Sequence, residues 1–150
     1  MAILQLQYFT KLQIKGRILA LDLGTKRIGV AISDDTQTFA SPKTIVNRQS
    51  NEKDFTKIKE IIDESKIVAI VIGLPLNMDQ SSSKMSKFSE DFARNLDDFL
   101  QKKLPIILLD ERLTSFAAQE INNSEFSRKQ KHLDDIAASI ILEEFLNEIS

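Results

Sequence analysis

Apolar residues in this chain form short continuous runs, which alternate with segments where they recur every three to four positions. The continuous runs predict strands covered on both faces, and recurrence at helical spacing predicts amphipathic helices. Strands are predicted at about 17–23, 28–34, 43–47, 67–72 and 106–110. Helices are predicted at about 52–65, 84–102, 114–122 and 133–148. Three leading strands followed by alternating helices and strands indicate an α/β fold, with one mixed sheet flanked by helices.

The expected sheet has five strands, of which the second is antiparallel to its neighbours. The strands at 18–23, 67–72 and 106–110 should be central, because both of their faces are apolar. Residues 1–16 form an N-terminal extension, either as a short extra strand or as a loose segment, and residues 17–150 form a single domain. A dinucleotide-binding fold is disfavoured because the first turn lacks the G-x-G-x-x-G motif.

The first two strands are joined by the segment from Gly24 to Ile28, which can form a tight hairpin. Gly24 and Gly29 are expected to be free to take positive φ there. Asp22 lies near the end of the first strand, at the edge of the sheet where α/β proteins place their chemistry. The alternative is an ordinary hairpin in which this aspartate only supports the turn.

Composition excludes several kinds of site. The chain has no cysteine and one histidine, His132, which excludes disulfides and thiolate ligands and disfavours a histidine-rich zinc site. No apolar run is long enough to cross a bilayer, and no signal peptide is expected because the first residues lack a cationic leader. The net charge is −2, so any surface that binds nucleic acid must be a local basic patch.

Three acidic residues from distant parts of the chain are expected to converge. Asp22 and Glu111 follow strands at their carboxyl ends, so adjacent strands would bring them to one edge of the sheet. Asp134, near the start of the last helix, shares a helical face with apolar residues, and an inward-facing carboxylate needs a partner. Three carboxylates suit Mg²⁺ or Mn²⁺. Such ions activate water and stabilise the oxygens of a phosphodiester displacement.

Each of these acidic residues also has a purely structural interpretation. Asp134 and Asp135 could be first-turn residues that the helix dipole favours, although helix phase favours Asp134 for the site. Glu111 could pair with Arg112, and Asp110 could accept a hydrogen bond at the strand end. Alternation along the strand does not choose between Asp110 and Glu111, since both faces of that strand are apolar.

Two basic clusters could hold a phosphate backbone. Lys26 and Arg27 lie in the hairpin, and Arg128, Lys129 and Lys131 lie in the polar loop before the last helix. We expect that loop to be mobile in the free protein and to close on phosphates when substrate binds. The alternative is a solvated run of charges that does not contact substrate.

Four motifs, in order along the chain, resemble the YqgF family, which has a ribonuclease H-like fold. They are Leu-Asp-Leu-Gly-Thr-Lys-Arg-Ile-Gly-Val-Ala at 21–31, Gly-Leu-Pro-Leu-Asn-Met-Asp at 73–79, Asp-Glu-Arg-Leu-Thr-Ser at 110–115, and the helix start at 134–142. The resemblance covers about residues 17–146. Members are described as Holliday junction resolvases and as nucleases that mature the 5′ end of pre-16S rRNA in the bacterial cytoplasm.

The resemblance implies a metal-dependent nuclease that processes the 5′ end of pre-16S rRNA, with resolution of Holliday junctions in branched DNA as the alternative. Asp22, Glu111 and Asp134 would be the catalytic and metal-binding triad for Mg²⁺ or Mn²⁺. The cations expected to contact the nucleic acid are Lys26, Arg27, Arg112, Arg128, Lys129 and Lys131. The oligomeric state stays open between monomer and dimer.

Two features depart from the family pattern, and two other classes of protein compete with it. Residues 1–16 extend beyond the usual start, and residues 80–83 read Gln-Ser-Ser-Ser where a glycine commonly follows the aspartate. An actin-like phosphotransferase also carries Asp-Leu-Gly-Thr in a phosphate-binding hairpin, but it needs two such lobes, and 150 residues supply one. The other competitor is a non-catalytic binding module of the same fold, which a divalent-ion titration would distinguish.

Overall fold

The computed structural model describes residues 3–4, 9, 11–74, 84–110 and 133–150 of the chain. Its strands are β1 (Ile3–Leu4), β2 (Arg17–Leu23), β3 (Arg27–Ser33), β4 (Ala40–Asn47), β5 (Ile67–Leu74) and β6 (Ile106–Asp110). Its helices are α1 (Asn51–Ser65), α2 (Lys84–Phe99) and α3 (Leu133–Ile149). The strands form one sheet in the order β1-β6-β5-β2-β3-β4, in which β3 is antiparallel to the others.

The predicted architecture is confirmed. The five predicted strands are present, the second is antiparallel to both of its neighbours, and β2, β5 and β6 lie inside the sheet. The sixth strand, β1, has only two residues and pairs with β6 through Ile3 and Leu4, so part of the extension forms the short extra strand. The division of the chain after residue 16 into an extension and a domain stays a prediction.

Helices α1 and α2 cover one face of the sheet. Their apolar residues follow the helical spacing seen in the sequence and pack on side chains from the centre of the sheet. The residues contributed by the two helices include Phe55, Ile58, Ile62, Phe92, Ala93 and Leu96. Ser50 caps α1, because its hydroxyl accepts the backbone N–H of Lys53 at 3.2 Å.

Helix α3 covers the opposite face, where the sheet presents small side chains. Ala20 and Ala31 pair directly across β2 and β3, and both are fully buried beneath α3. Phe9, from the extension, completes this layer. Its side chain is 2% exposed, and its ring meets that of Phe145 edge to face, with centroids 5.1 Å apart. Phe9 of the extension therefore belongs to the α3 layer of the core.

Two predicted boundaries were wrong. Strand β4 begins about three residues earlier than expected and includes Pro42, because it is an edge strand whose register with β3 shifts at Ala31, the partner of Pro42. Helix α2 ends at Phe99, because Gln101 and Lys102 adopt left-handed φ values of 58° and 56°. The predicted helix at 114–122 lies outside the described residues. No helix in the described part of the chain is long and apolar enough to cross a membrane.

Asp34 organises the turn between β3 and β4. Its Oδ1 atom accepts the backbone N–H groups of Thr38 and Phe39 at 2.8 and 2.9 Å, and the hydroxyl of Thr36 donates to Oδ2. These donors, foremost the Phe39 amide, stabilise the ionised carboxylate and lower the pKa of Asp34 from 3.8 to about 2. The turn is therefore coupled to the ionisation of one half-buried side chain.

Replacing Asp34 by asparagine should destabilise the protein near neutral pH, and the difference should shrink in acid. The folded pKa lies below the unfolded value, so ionised Asp34 adds stability above about pH 4 and loses it as the pH falls towards about 2. Thermal unfolding across this range measures the difference in Tm. Asp35→Asn removes an exposed pair with Arg17 and should change Tm little at any pH. A difference for Asp34→Asn that does not vary with pH contradicts this account.

Candidate functional site

Three parallel strands end side by side at one edge of the sheet. Leu21 of β2 pairs with Ile72 of β5, and Gly73 of β5 pairs with Leu109 of β6. When this register is continued by one residue, Asp22 lies beside Gly73. The chain thus brings the end of its first long strand next to strands that come about 50 and 85 residues later. This edge is where an α/β sheet binds its ligands.

Glycine occupies the positions on both sides of Asp22. Gly29 lies opposite Asp22 in the antiparallel pair, and Gly73 lies beside it on β5. Ile18 and Ala20, at alternate positions earlier in β2, pack beneath α3, so Asp22 belongs to the same face of the sheet. Neighbouring strands are about 4.8 Å apart, and glycine has no side chain to fill that space. Neither neighbouring strand therefore places a side chain beside the half-buried carboxylate.

Helix α3 runs antiparallel to β2, so its first turn lies at the edge that carries Asp22. Leu146 and Asn147, near the end of α3, line a cavity together with Phe39 of the turn between β3 and β4. That turn lies at the amino end of β2, because β3 is antiparallel to β2. The 17 residues of α3 span about 25 Å. This length is enough to run from the amino ends of the strands to their carboxyl ends. The backbone of Asp134, the second residue of α3, is therefore near the carboxyl end of β2.

The predicted site residues are described to different extents. The side chains of Asp22, Lys26 and Arg27 are described, and both cations are exposed in or next to the hairpin turn. Asp134 is described in its backbone alone. Glu111, Arg112, Arg128, Lys129 and Lys131 lie outside the described residues. Within the described ranges, no three acidic or histidine side chains form a group that could hold a metal.

The arrangement around Asp22 fits a hard divalent cation. Carboxylate oxygens are the ligands that Mg²⁺ and Mn²⁺ prefer. Mg²⁺ usually keeps several of its waters and takes one or two carboxylates from the protein, so it needs space beside the carboxylate. Glycine at positions 29 and 73 keeps side chains of the neighbouring strands away from it. Asp22 therefore has the chemistry and the surroundings of a ligand to such an ion.

The hairpin turn requires Gly24, although for a different reason than predicted. Neither Gly24 nor Gly29 has a positive φ, so that expectation was wrong. The backbone N–H of Gly24 donates to the carbonyl oxygen of Arg27 at 2.8 Å. A Cβ atom on Gly24 would lie 2.7 Å from the same oxygen, closer than carbon and oxygen can approach. Glycine is needed here because the backbone at Gly24 and the backbone at Arg27 approach each other too closely for a side chain.

Two residues behind the turn were missed by the sequence analysis. Arg48 and Asp54 form a salt bridge of 3.2 Å, in which the carboxylate is fully buried and the guanidinium is 14% exposed. The backbone N–H of Arg48 also donates to the carbonyl oxygen of Lys26 at 2.8 Å. An arginine just after a strand and an aspartate in the first turn of the next helix indicate a buried ion pair only weakly, because both residue types are common on exposed surfaces.

Two solved structures of DNA-resolving enzymes share this fold. RuvC of Thermus thermophilus, in complex with a Holliday junction substrate, aligns with a TM-score of 0.57 at 10% identity over 89% of this chain and 96% of that chain. The Fowlpox virus resolvase, in complex with Holliday junction DNA, aligns with a TM-score of 0.51 at 15% identity over 89% and 98%. The class of protein is therefore one with a ribonuclease H-like fold, as the sequence motifs implied.

Sequence similarity identifies the family within that class. The sequence model of the RuvX family, described as Holliday junction resolvase, matches residues 16–148. A protein of Maridesulfovibrio salexigens named "Putative pre-16S rRNA nuclease" is 41% identical over 133 residues, which are 87% of this chain and 97% of that protein. A protein of the same name from Cereibacter sphaeroides is 39% identical over 145 residues, 95% of this chain and 89% of that protein. This chain belongs to the RuvX family, and the resemblance to the YqgF family is confirmed.

Replacing Gly24 by alanine should destabilise the protein by about 1–3 kcal/mol, because the added methyl group forces the turn apart. The carbonyl of Arg27 cannot retreat without breaking the hydrogen bond that closes the turn. Urea unfolding measures the change. Thr25→Ala, at the exposed neighbouring position, is the matched control and should change the unfolding free energy by less than about 0.5 kcal/mol. Equal stability of the Gly24→Ala and Thr25→Ala proteins would contradict the close approach.

Proposed function

We propose that this protein is a divalent-metal-dependent nuclease that processes the 5′ end of pre-16S rRNA in the bacterial cytoplasm. The observation that carries the proposal is the position of Asp22, half-buried between two glycine positions at the carboxyl end of a central strand. This is where a metal ion and a phosphate group could both reach one carboxylate. The names of the relatives support precursor rRNA as the substrate.

Asp22, Glu111 and Asp134 are the proposed metal ligands and catalytic residues. Leu109 lies on the α3 face of β6, and alternation along a continued strand would bring Glu111, two residues later, to the same face as Asp22. The first turn of α3, which contains Asp134, lies at the same edge of the sheet. The described positions of Asp22 and of the first turn of α3, with the face expected for Glu111 just after β6, support convergence of the triad.

Helix phase gives less discrimination between Asp134 and Asp135 than the sequence analysis expected. Asp134 precedes Ala138 by four residues, and Asp135 precedes Ser139 by four, and both later residues are buried. Both acidic residues therefore occupy helical positions on the sheet-facing half of α3. We retain Asp134 as the ligand because of its place in the family motif, and the two residues make a matched pair of variants.

The proposed chemistry divides between the ion and the protein. When bound, Mg²⁺ or Mn²⁺ would supply a water of lowered pKa and a positive charge for the leaving oxygen. Asp22 would hold the ion against the sheet, and the exposed Lys26 and Arg27 would contact phosphate oxygens at the same edge. Phosphate contacts position a substrate without reading its sequence. Recognition of the cleavage site would therefore depend on other parts of the surface.

Resolution of Holliday junctions is the second candidate function. The description of the family and the fold shared with two junction-bound resolvases favour it. A metal ion at Asp22 would serve either substrate, since both reactions hydrolyse a phosphodiester bond. The two functions therefore differ in how the nucleic acid is recognised and share the chemistry of cleavage.

Asp22→Asn should abolish cleavage while leaving the fold intact, because it removes ligand charge without changing volume. The purified protein is incubated with a precursor rRNA fragment and with a four-way DNA junction, each with Mg²⁺ and with Mn²⁺. Cleavage of the RNA by the wild type supports the proposal, and cleavage of the junction alone supports the second candidate. Asp134→Asn should also lose turnover, whereas Asp135→Asn should retain it. Undiminished turnover of Asp22→Asn would exclude this site.

A non-catalytic binding module would give a different result in the same experiment. Such a protein would bind the nucleic acids, cleave neither of them, and show no specific divalent-ion site in a calorimetric titration. For the proposed nuclease, the titration should detect binding to the wild type and a large loss of affinity in Asp22→Asn. Together, cleavage and titration separate the enzyme from a binding protein of the same fold.

The polar loop predicted before the last helix carries three cations and is called the basic loop here. Replacing these three cations by alanine should weaken binding to RNA and to DNA alike and should flatten the salt dependence of binding. Each lost phosphate contact lowers the slope of log affinity against log salt by about 0.7–0.9. The loop variant changes Arg128, Lys129 and Lys131. The control variant changes three exposed lysines near the amino ends of β2, β5 and β6, away from Asp22. They are Lys15, Lys66 and Lys103. Equal slopes for the loop variant and the wild type would mean that the loop does not contact the backbone.

A further inference from the structure

A buried ion pair supports the hairpin turn from behind. The Asp54 carboxylate is fully buried; its Oδ2 atom lies 3.2 Å from Nε of Arg48, and its Oδ1 atom accepts the backbone N–H of Gln49 at 3.0 Å. The backbone N–H of Asp54 itself donates to the carbonyl of Ser50 at 2.9 Å. The carboxylate is therefore fixed by the first turn of α1 and by the segment that leads into it.

The guanidinium of Arg48 connects this carboxylate to several other elements. Its Nη1 atom lies 3.5 Å from the carbonyl oxygen of Gly24, and its Nη2 atom lies 3.4 Å from Oδ1 of Asn51. Its central carbon lies 4.9 Å from the ring centre of Phe88 and 5.4 Å from that of Phe92, both on α2. One side chain thus contacts the hairpin turn, α1 and α2.

Among the described residues, three interactions outside the strand ladders hold the backbone of the turn. Besides the guanidinium contact with the carbonyl of Gly24, the Gly24 N–H donates to Arg27 and the Arg48 N–H donates to Lys26, each at 2.8 Å. Two of these three interactions come from Arg48. Arg48 therefore connects the turn that carries the exposed cations to the beginning of α1.

Stability alone does not account for an ion pair in this position. Removing two charges from water is costly, and well-packed apolar residues often replace a buried pair without loss of stability. Arginine does here what an apolar residue or a lysine cannot. Its planar guanidinium reaches the carboxylate of Asp54 and the carbonyl of Gly24 at the same time, and its central carbon lies over the rings of Phe88 and Phe92.

We propose that Arg48, held by Asp54, is a positioning residue that fixes the turn carrying Lys26 and Arg27 beside Asp22. The proposal rests on the nuclease function proposed above and assigns to it a residue that does not touch the substrate. A turn held in one conformation presents its cations to a phosphate at a constant distance from the strand end. Small errors in the placement of groups around a reacting centre can lower the rate of the chemical step by a large factor.

Arg48→Lys tests the proposal, because lysine keeps a positive charge against Asp54 but has no second nitrogen to reach the carbonyl of Gly24. Amide hydrogen exchange of the turn is measured by NMR without metal or substrate. We expect exchange at the Gly24 N–H to accelerate at least about tenfold, because its hydrogen bond opens more often. We also expect kcat to fall on the order of 10- to 100-fold, with a much smaller change in KM.

A second variant and a matched control separate positioning from stability. Asp54→Asn removes the charge that holds Arg48 and should show the same acceleration of exchange and the same loss of kcat. Lys102→Met removes the partner of another nearly buried carboxylate, Asp97, which is 6% exposed and lies 3.0 Å from the ammonium group beyond the end of α2. The control should lower Tm while leaving exchange at Gly24 and kcat unchanged.

The outcomes separate this proposal from the nuclease function. Wild-type exchange at Gly24 in Arg48→Lys overturns the positioning role, and so does faster exchange with unchanged kcat. Loss of kcat in Lys102→Met to the same degree as in Arg48→Lys also overturns it, since a general loss of stability would then explain both. If the wild-type protein cleaves neither nucleic acid, the nuclease function fails, and the positioning role in catalysis fails with it. Exchange at Gly24 would still report whether Arg48 holds the turn.

Discussion

The alignment of the carboxyl ends of β2, β5 and β6 is the constraint on which the rest of this structure depends. A strand covered on both faces has no place for a charged side chain except at its end, where water and cations can reach it. Asp22 occupies that end, and glycines at 29 and 73 keep the neighbouring strands from filling the space beside it. The buried alanines beneath α3 have small side chains that let the helix lie close to the sheet. Register, side-chain size and helix direction thus define one polar position in an apolar sheet.

Much of the fold could be predicted because its strongest signals are local. Strands apolar at nearly every position can only be central, and the stripe containing Phe92 and Leu96 recurs at helical spacing on α2. Strand boundaries were harder to predict where one residue is compatible with two different structures. Pro42 commonly ends a strand, yet it is tolerated inside β4 because an edge strand needs hydrogen bonds on one side only. The pairing of Ile3 and Leu4 with β6 depends on a partner about a hundred residues away, which two residues of sequence cannot indicate.

The candidate site was predictable to the extent that its chemistry lies in a motif. Asp22 could be chosen as a candidate because a carboxylate that interrupts an apolar run is conspicuous in a sequence. Its glycine neighbours could not be identified as such, since they come from β3 and β5 and become neighbours only through strand register. Arg48 and Asp54 were missed for a related reason. Their burial follows from the packing of α1 and α2, and the sequence around them is polar and gives no sign of a buried pair.

The position of β4 at the end of the sheet also bears on how the protein behaves when it is concentrated. An edge strand leaves backbone donors and acceptors unpaired on its outer side, which can recruit strands from other molecules into aggregates. Pro42 has no N–H to offer, the register shift at Ala31 disturbs the regular spacing of the edge, and the exposed Lys43 adds a charge that an incoming strand would have to bury. The irregularity that misled the assignment of this strand thus makes the β4 edge a poor template for strands from other molecules.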